Sequence, residues 1–397
     1  MSKTEWKECT LGSVCDLVAG YAFKSADFGD FNSKVIKITH ITPPRVDEAS
    51  LAGVDISKYD ASKLGKYVVQ SGDYVFAMTG ATIGKIGRLY KGEAYINQRV
   101  LTFRNKESII NKDFLYYVLL KDDFAKYVYN HIDSESAQPN ISANTVAKYT
   151  FDLPPIEKQK EIAKILSALD DKIELNNAIN RNLEEQAQIL FKNYEENKPS
   201  NLMKIADVAE INPDSFGLKD NWSFVNYLDT SSITQNVISE LQYINLNEEK
   251  LPSRAKRKVV ENDIVYSTVR PNQLHFGFIN EVKPNMLVST GFAVIRSKNP
   301  LVSNEYIYLN LTKRETIEKL QQIAEQSVST FPAIKPSDIG DCLINVFEKE
   351  DAEILNNQLS AIFKKISQNN QENQYLTLIR DTLLPKLMSS EMDEKTN

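Results

Sequence analysis

The sequence predicts an α+β fold in which two mixed α/β heads are joined by two long helices that pair as an antiparallel coiled coil. Three observations predict it. Residues from Ile162 to Tyr194 recur in alternating spacings of four and three, the signature of a heptad seam. The same seam returns 193 residues later. The stretches ahead of the two seams also match one another, more faintly, so the order is head, helix, head, helix.

The first head takes residues 1–153. Asp73–Met78 alternates and is rich in β formers, Thr79-Gly80-Ala81-Thr82-Ile83-Gly84 makes a loop, and Lys85–Tyr90 returns as a strand. Asp113–Tyr129 has helical spacing with many aromatics. The central helix takes residues 154–198, with Pro154-Pro155 suiting its start and Lys198-Pro199 its stop. Its seam is Ile162, Leu166, Leu169, Ile173, Asn176, Asn180, Leu183, Ala187, Leu190 and Tyr194. The second head, 199–346, repeats the strand–loop–strand pattern as Asp263–Thr268, Val269-Arg270-Pro271-Asn272-Gln273-Leu274 and His275–Asn280, followed by a helical stretch at Asn304–Ala324. The second helix, 347–388, carries Leu355, Leu359, Ile362, Ile366, Asn369, Asn373, Leu376, Arg380, Leu383 and Leu387. Arg380 alone breaks the match, and Pro385 is expected to end or kink the helix one turn early. A tail, 389–397, follows.

Ten residues between positions 166 and 190 are identical to their counterparts 193 further on, where random pairing gives roughly one or two. In the heads, Val69–Val75 resembles Val259–Val265, Phe114–Tyr117 resembles Tyr306–Leu309, and Leu11 and Val14 fall opposite Ile205 and Val208. Polar residues in a seam cost stability unless they pair. Asn176 and Asn180 are therefore expected to meet Asn369 and Asn373, fixing the register and favouring an antiparallel pair. The plainer alternative leaves them facing solvent on a looser helix.

Composition excludes several function classes. Three cysteines, Cys9, Cys15 and Cys342, are too few and scattered for a disulfide framework or a zinc cluster. No run of eighteen apolar residues occurs, and Met1-Ser2-Lys3-Thr4-Glu5-Trp6 lacks the hydrophobic stretch of a signal peptide, so a cytoplasmic protein without membrane contact is expected. His40, His131 and His275 lie far apart without catalytic partners nearby. No Gly-x-Gly-x-x-Gly cofactor loop and no Pro-Pro-aromatic methyltransferase motif are present, because Leu153-Pro154-Pro155-Ile156 has the prolines alone. Gly80-Ala81-Thr82-Ile83-Gly84-Lys85 is one residue short of a phosphate loop, has Ile86 where magnesium needs a hydroxyl, and precedes a strand. The expected catalytic, cofactor and metal sites in this chain are none.

The binding candidates are polar loops and a basic run. Arg254-Ala255-Lys256-Arg257-Lys258 is the densest basic stretch; it is either a solvated loop or a set of phosphate contacts. Thr79, Thr82, Arg270, Asn272 and Gln273 have the chemistry for base edges, with arginine matching guanine and asparagine or glutamine matching adenine. Lys85 stands beside the first loop, and Gln138-Pro139-Asn140-Ile141-Ser142 supplies Gln138 and Asn140 as a further reader or as a mere turn. The net charge of −6 argues against a tight, nonspecific DNA binder acting alone. Residues 1–155, with 19 basic and 18 acidic side chains, still reach +1.

The run Leu153-Pro154-Pro155-Ile156-Glu157-Lys158-Gln159-Lys160-Glu161-Ile162, continuing through Ile165-Leu166-Ser167-Ala168-Leu169-Asp170-Asp171-Lys172-Ile173-Glu174, resembles the central helix of type I restriction-modification specificity subunits. Gln138–Ser142 and the Thr79–Gly87 turn resemble that family too. The second helix departs from it, with Val346-Phe347-Glu348-Lys349 where Leu-Pro-Pro is the pattern. The resemblance implies that the heads are target recognition domains, each reading half of a split site in double-stranded DNA. It implies that the helices dock two methyltransferase subunits, which bind S-adenosylmethionine, and up to two restriction subunits, which use ATP and magnesium. The chain itself is then not an enzyme. A helix of about 40 residues spans about 60 Å, and antiparallel pairing implies heads at opposite ends with pseudo-twofold symmetry, one to two DNA turns apart. The rival readings are a stand-alone DNA-binding regulator and a coiled-coil scaffold whose heads bind something other than DNA.

Overall fold

The computed structural model describes residues 6–133, 139–217, 219–326 and 332–389. It divides into two compact units, Met1–Glu174 with Gln374–Asn397 and Leu175–Asn373. Two long helices, Ile156–Asn197 and Lys349–Leu387, contribute a stretch to each unit.

In the first unit the head opens and closes on a two-stranded ribbon, Lys7–Thr10 against Thr150–Leu153, which delivers the chain into the first long helix. A four-stranded sheet runs in the order Ala52–Val54, Phe28–Ile36, Glu93–Ile96, Val68–Gln70. A six-stranded sheet runs Cys15–Ala19, Val100–Asn105, Tyr74–Ala77, Ile86–Arg88, Arg45–Val46, Ile41–Thr42. The second unit repeats the plan. Ser200–Lys204 pairs with Leu343–Phe347, and a four-stranded sheet runs Gln242–Asn245, Phe224–Leu228, Met286–Ser289, Ala255–Lys258. The other sheet runs Ala209–Ile211, Phe292–Ser297, Ile264–Ser267, Phe276–Phe278. Phe347 thus ends a strand, and the second long helix begins at Lys349.

The duplication extends to backbone conformation. Gly72 and Asn262, Gly80 and Arg270, and Gly84 and Leu274 all have positive φ, at +88° and +67°, +71° and +48°, +85° and +58°. Each pair lies 190 residues apart. Glycine enters this region freely; other residues enter at a steric cost.

Three expectations are corrected. Asp113–Tyr129 is not one helix but two, Lys112–Leu119 and Asp122–Asn130, and Asn304–Ala324 is likewise Asn304–Thr312 and Arg314–Glu325. The breaks fall at Lys121 and Lys313, whose backbones are extended, so each aromatic helix can pack on its sheet while the next turns away. Pro385 does not end the second long helix early, which continues to Leu387; in the last turn proline removes only one hydrogen bond. Arg380 does not break the seam either. Its Nη1 donates to Asp170 Oδ1 at 2.7 Å, and the Tyr117 hydroxyl donates to Asp170 Oδ2 at 2.7 Å.

Within the first unit that ion pair joins the helices beside Ile162, Leu166 and Leu384, which are buried in the head's core; Leu169 and Ile173 are half-buried. Within the second unit Leu359 and Ile366 are buried and Leu183 and Ile362 pack against them. Asn176 donates to Asn373 at 2.9 Å and Asn369 donates to Asn180 at 2.7 Å, with Asn180 also donating to Asn370 and Asn373 to Asn177. Position rises on one helix as it falls on the other, so the pair is antiparallel there. Leu376 is half-buried on the second helix. The side of each helix away from this seam keeps apolar residues in solvent: Ile165, Leu175, Ile179 and Ile189 on the first, and Ile354, Tyr375, Leu378 and Ile379 on the second. These do not repeat at the 193-residue offset.

All three histidines have visible local contacts, His131 with its Nδ1 2.8 Å from the Tyr127 carbonyl oxygen and its ring stacked on Tyr127. His40 is buried, and its Nδ1 accepts from the Lys37 N–H at 3.1 Å. Burial, with Lys37 adding to it, holds the imidazole below its ordinary pKa. The unfolded chain therefore binds the proton more readily, so stability is full above about pH 6.5 and falls as pH drops toward the lowered value. Thermal melts at pH 8 and pH 5 are expected to show a smaller acid loss in His40→Gln than in the parent chain; equal losses would refute this. His275 Nδ1 lies 2.7 Å from the Ile233 carbonyl oxygen, in the hairpin described next.

Candidate nucleic-acid interface

In each head, three chain segments cross at one rim. In the first head the loop Thr79–Lys85 leaves the strand Tyr74–Ala77 and returns as Ile86–Arg88. Segment Pro139–Ile141 lies along it, with Gly80 N–H donating to the Pro139 carbonyl at 3.0 Å and Ile141 N–H to the Met78 carbonyl at 3.0 Å. The corner Asn97-Gln98-Arg99, where the chain passes from one sheet to the other, completes the rim through Met78 N–H to the Arg99 carbonyl at 3.0 Å. A Cβ at Gly20 would lie 2.2 Å from the Asn97 carbonyl oxygen, so glycine there lets this corner sit down tightly.

The second head builds the same rim. Arg270 N–H donates to the Pro332 carbonyl at 2.9 Å, Ile334 N–H to Thr268 at 2.8 Å, and Thr268 N–H to Gly291 at 2.8 Å. Thr290 N–H donates to the Arg254 carbonyl at 2.7 Å, which brings Arg254 alongside. A hairpin, Ile233–Thr234 with Val237–Ile238, abuts the loop through Gln235 N–H to the Leu274 carbonyl at 3.1 Å. Its Asn236 is buried and donates to Glu184 on the first long helix at 2.8 Å and to the Tyr308 hydroxyl at 2.7 Å. Burial raises the Glu184 pKa above its ordinary value, against the opposing Asn236 hydrogen bond.

The sequence candidates divide accordingly. Thr82, Lys85 and Asn140 share the first rim, and Arg254, Arg270, Asn272 and Gln273 the second, with Lys85, Arg254, Asn272 and Gln273 exposed. Thr79 is buried and its hydroxyl donates to the Pro139 carbonyl at 2.9 Å, so it shapes the rim instead of presenting to a ligand. Gln138 lies outside the described residues. The basic run is not a solvated loop: Ala255–Lys258 is a strand paired with Met286–Ser289 and flanked by Phe216 N–H donating to the Lys256 carbonyl at 2.7 Å. Lys258 is held by Asp220 at 2.6 Å and lies over Trp222, and the half-buried Arg257 Nε has no hydrogen-bond partner within the described residues. Lys256 stays exposed. Lys258 is therefore a structural residue.

Arg99 and Gln98 were missed. Both are exposed, and Arg99 Nη1 donates to Asn140 Oδ1 at 3.4 Å. A polar triplet between two apolar β runs, Ala94–Ile96 and Val100–Phe103, was the available signal. What the rims offer is amide, guanidinium and ammonium groups on a rigid backbone, suited to hydrogen-bonding an anionic or base-edge ligand. Among the described residues no cluster of three or more histidine, cysteine or acidic side chains has metal-binding geometry, and no helix is long and apolar enough to cross a membrane.

Comparison with known proteins agrees with this architecture. Residues 3–185 match the family model described as the type I restriction modification DNA specificity domain. The chain is 30% identical to the type I restriction enzyme HindI specificity subunit of Haemophilus influenzae over 40% of this chain and 34% of that protein. It thus spans about a third of the length of that relative. It is 22% identical to the putative type I restriction enzyme MjaX specificity subunit of Methanocaldococcus jannaschii over 99% of this chain and 95% of that one. The crystal structure of a type I restriction-modification system S subunit from M. genitalium superposes with a TM-score of 0.53 at 15% identity, covering 98% of this chain and 97% of that one, a likeness of fold. Residues 3–185 are thus similar to the DNA specificity domain of type I restriction-modification systems, and a likeness of fold extends over nearly the whole chain.

Proposed function

We propose that this chain reads a split site in double-stranded DNA, one half with each head, as the non-catalytic specificity subunit of a type I complex. The observation that carries the reading is the duplicated rim: two heads that share the order of their core strands present the same crossing of three segments with different side chains, as two readers of different half-sites require. The apolar side chains left in solvent on the long helices supply surface for two methyltransferase subunits, and up to two restriction subunits join them. Those partners bring S-adenosylmethionine, ATP and magnesium, while this chain binds no cofactor. They also supply phosphate contacts that a chain of net charge −6 lacks. The setting is the cytoplasm.

The test is a map of methylated adenines in cells expressing this chain with its partner subunits. A bipartite motif with an unspecified gap is expected, and replacing residues 1–155 with another family member's head is expected to change one half only. A continuous motif, or a change in both halves, would refute the reading.

A further inference from the structure

The two rims carry their arginines at exchanged positions. The backbone hydrogen bonds make the positions equivalent: the carbonyl that receives the N–H of Met78 is that of Arg99, and the one that receives the N–H of Thr268 is that of Gly291. Likewise the N–H donated to Pro139 is that of Gly80, and the one donated to Pro332 is that of Arg270. The first head therefore has arginine at the corner and glycine in the loop; the second has glycine at the corner and arginine in the loop.

Neither choice is a free one. A Cβ on Gly291 would lie 2.7 Å from Thr230 Cγ2, so a side chain at the corner of the second head requires Thr230 to shift. Arg270 in turn occupies a left-handed backbone at φ +48°, where the first head has glycine at φ +71°. An arginine kept in a conformation that glycine adopts without cost points to a use for its side chain. In the first head the guanidinium of Arg99 is oriented by the Asn140 amide at 3.4 Å, and orientation matters for a base edge more than for a phosphate.

We propose that Arg99 and Arg270 are the equivalent specificity-determining residues of the two heads, each reading one guanine in its own half-site through the paired acceptors O6 and N7. This rests on the DNA-reading function proposed above. Arginine presents two parallel N–H donors that match those two acceptors, the commonest specific pairing in the major groove. Exchanging its position between loop and corner moves the point of attack across the rim, so the guanines fall at different places in the two half-sites.

The experiment uses the full chain co-purified with its partner subunits and duplexes carrying the mapped motif. Arg99→Ala and Arg270→Ala are each expected to relax guanine preference at one position by about 5- to 150-fold, in different half-sites, leaving the remaining positions intact. Replacing that guanine with 7-deazaguanine, which lacks N7, is expected to weaken the parent complex and leave the matching variant unchanged. Arg270→Gly relieves the left-handed backbone, so it serves as a well-folded second variant and is expected to lose the same preference. Uniform weakening with an unchanged motif would assign both arginines to phosphate and overturn the proposal, as would a shared half-site or a guanine preference retained in Arg270→Gly. These outcomes leave the split-site function standing, whereas a parent complex with no bipartite motif would remove that function and this inference together.

Discussion

Replacing Arg296 with methionine is expected to lower the stability of the second head by about 3–5 kcal/mol. Asp263 is fully buried, and Arg296 clamps it with two parallel hydrogen bonds of 2.7 Å, from Nε to Oδ1 and from Nη2 to Oδ2. The same Oδ2 accepts the Val260 N–H at 2.7 Å, closing the left-handed turn at Asn262. Removing the guanidinium strands a carboxylate with no access to water, which costs far more than the bidentate bond gains. Asp263→Asn/Arg296→Met removes both charges and keeps an acceptor for Val260, so most of the loss should return. Hydrogen exchange of the strands Ile264–Ser267 and Phe292–Ser297, read against denaturant, checks both variants; a double variant no more stable than Arg296→Met would show that packing, not charge, holds this site. The first head has the counterpart in Asp73, bound by Arg104 at 2.9 Å and Lys112 at 2.6 Å. Burial pushes its carboxyl pKa up, but the Lys112 and Arg104 contacts outweigh it and leave the group below its ordinary value.

The long helices were legible because a heptad seam is a local pattern, repeated here with ten identical residues between Leu166 and Leu190. The sheets were less so. The pairing of Tyr95 with Val35, and of Asn226–Leu228 with Met286–Val288, is parallel and joins residues far apart in sequence, which no local period encodes. Arg254–Lys258 reads as a loop because its side chains are charged, yet its backbone completes a sheet whose neighbour, Met286–Ser289, is wholly buried. At the interface the loops Thr79–Lys85 and Val269–Leu274 stood out by their turn residues. Arg99 did not, because what makes it a rim residue is a hydrogen bond from Met78, and only the folded sheet brings those two together. Thr79 failed in the opposite way: its hydroxyl suits a base edge, but Pro139 already occupies it.

Arg380→Ala is expected to cost about 3–5 kcal/mol, because it leaves the Asp170 carboxylate, 10% exposed, with only the Tyr117 hydroxyl. Asp170 conversely holds the Arg380 guanidinium above its ordinary pKa, against the opposing effect of burial. The duplication shows what the chain uses elsewhere for the same job. At the 193-residue offset Asp170 corresponds to Phe363 and Arg380 to Ala187, both buried in the core of the second unit, and in the match of Phe114–Tyr117 with Tyr306–Leu309, at an offset of 192, Tyr117 aligns with the buried Leu309. The triple variant Tyr117→Leu/Asp170→Phe/Arg380→Ala copies that apolar set into the first unit and is expected to recover to within about 1 kcal/mol of the parent chain. If it does, the ion pair is not what makes the helices adhere. It instead matches the first helix to the second, since the first helix paired with a copy of itself in this register would set Asp170 against Ala187. Chemical denaturation of the three proteins decides between these roles: a triple variant as unstable as Arg380→Ala would mean that the charges themselves hold the pair together.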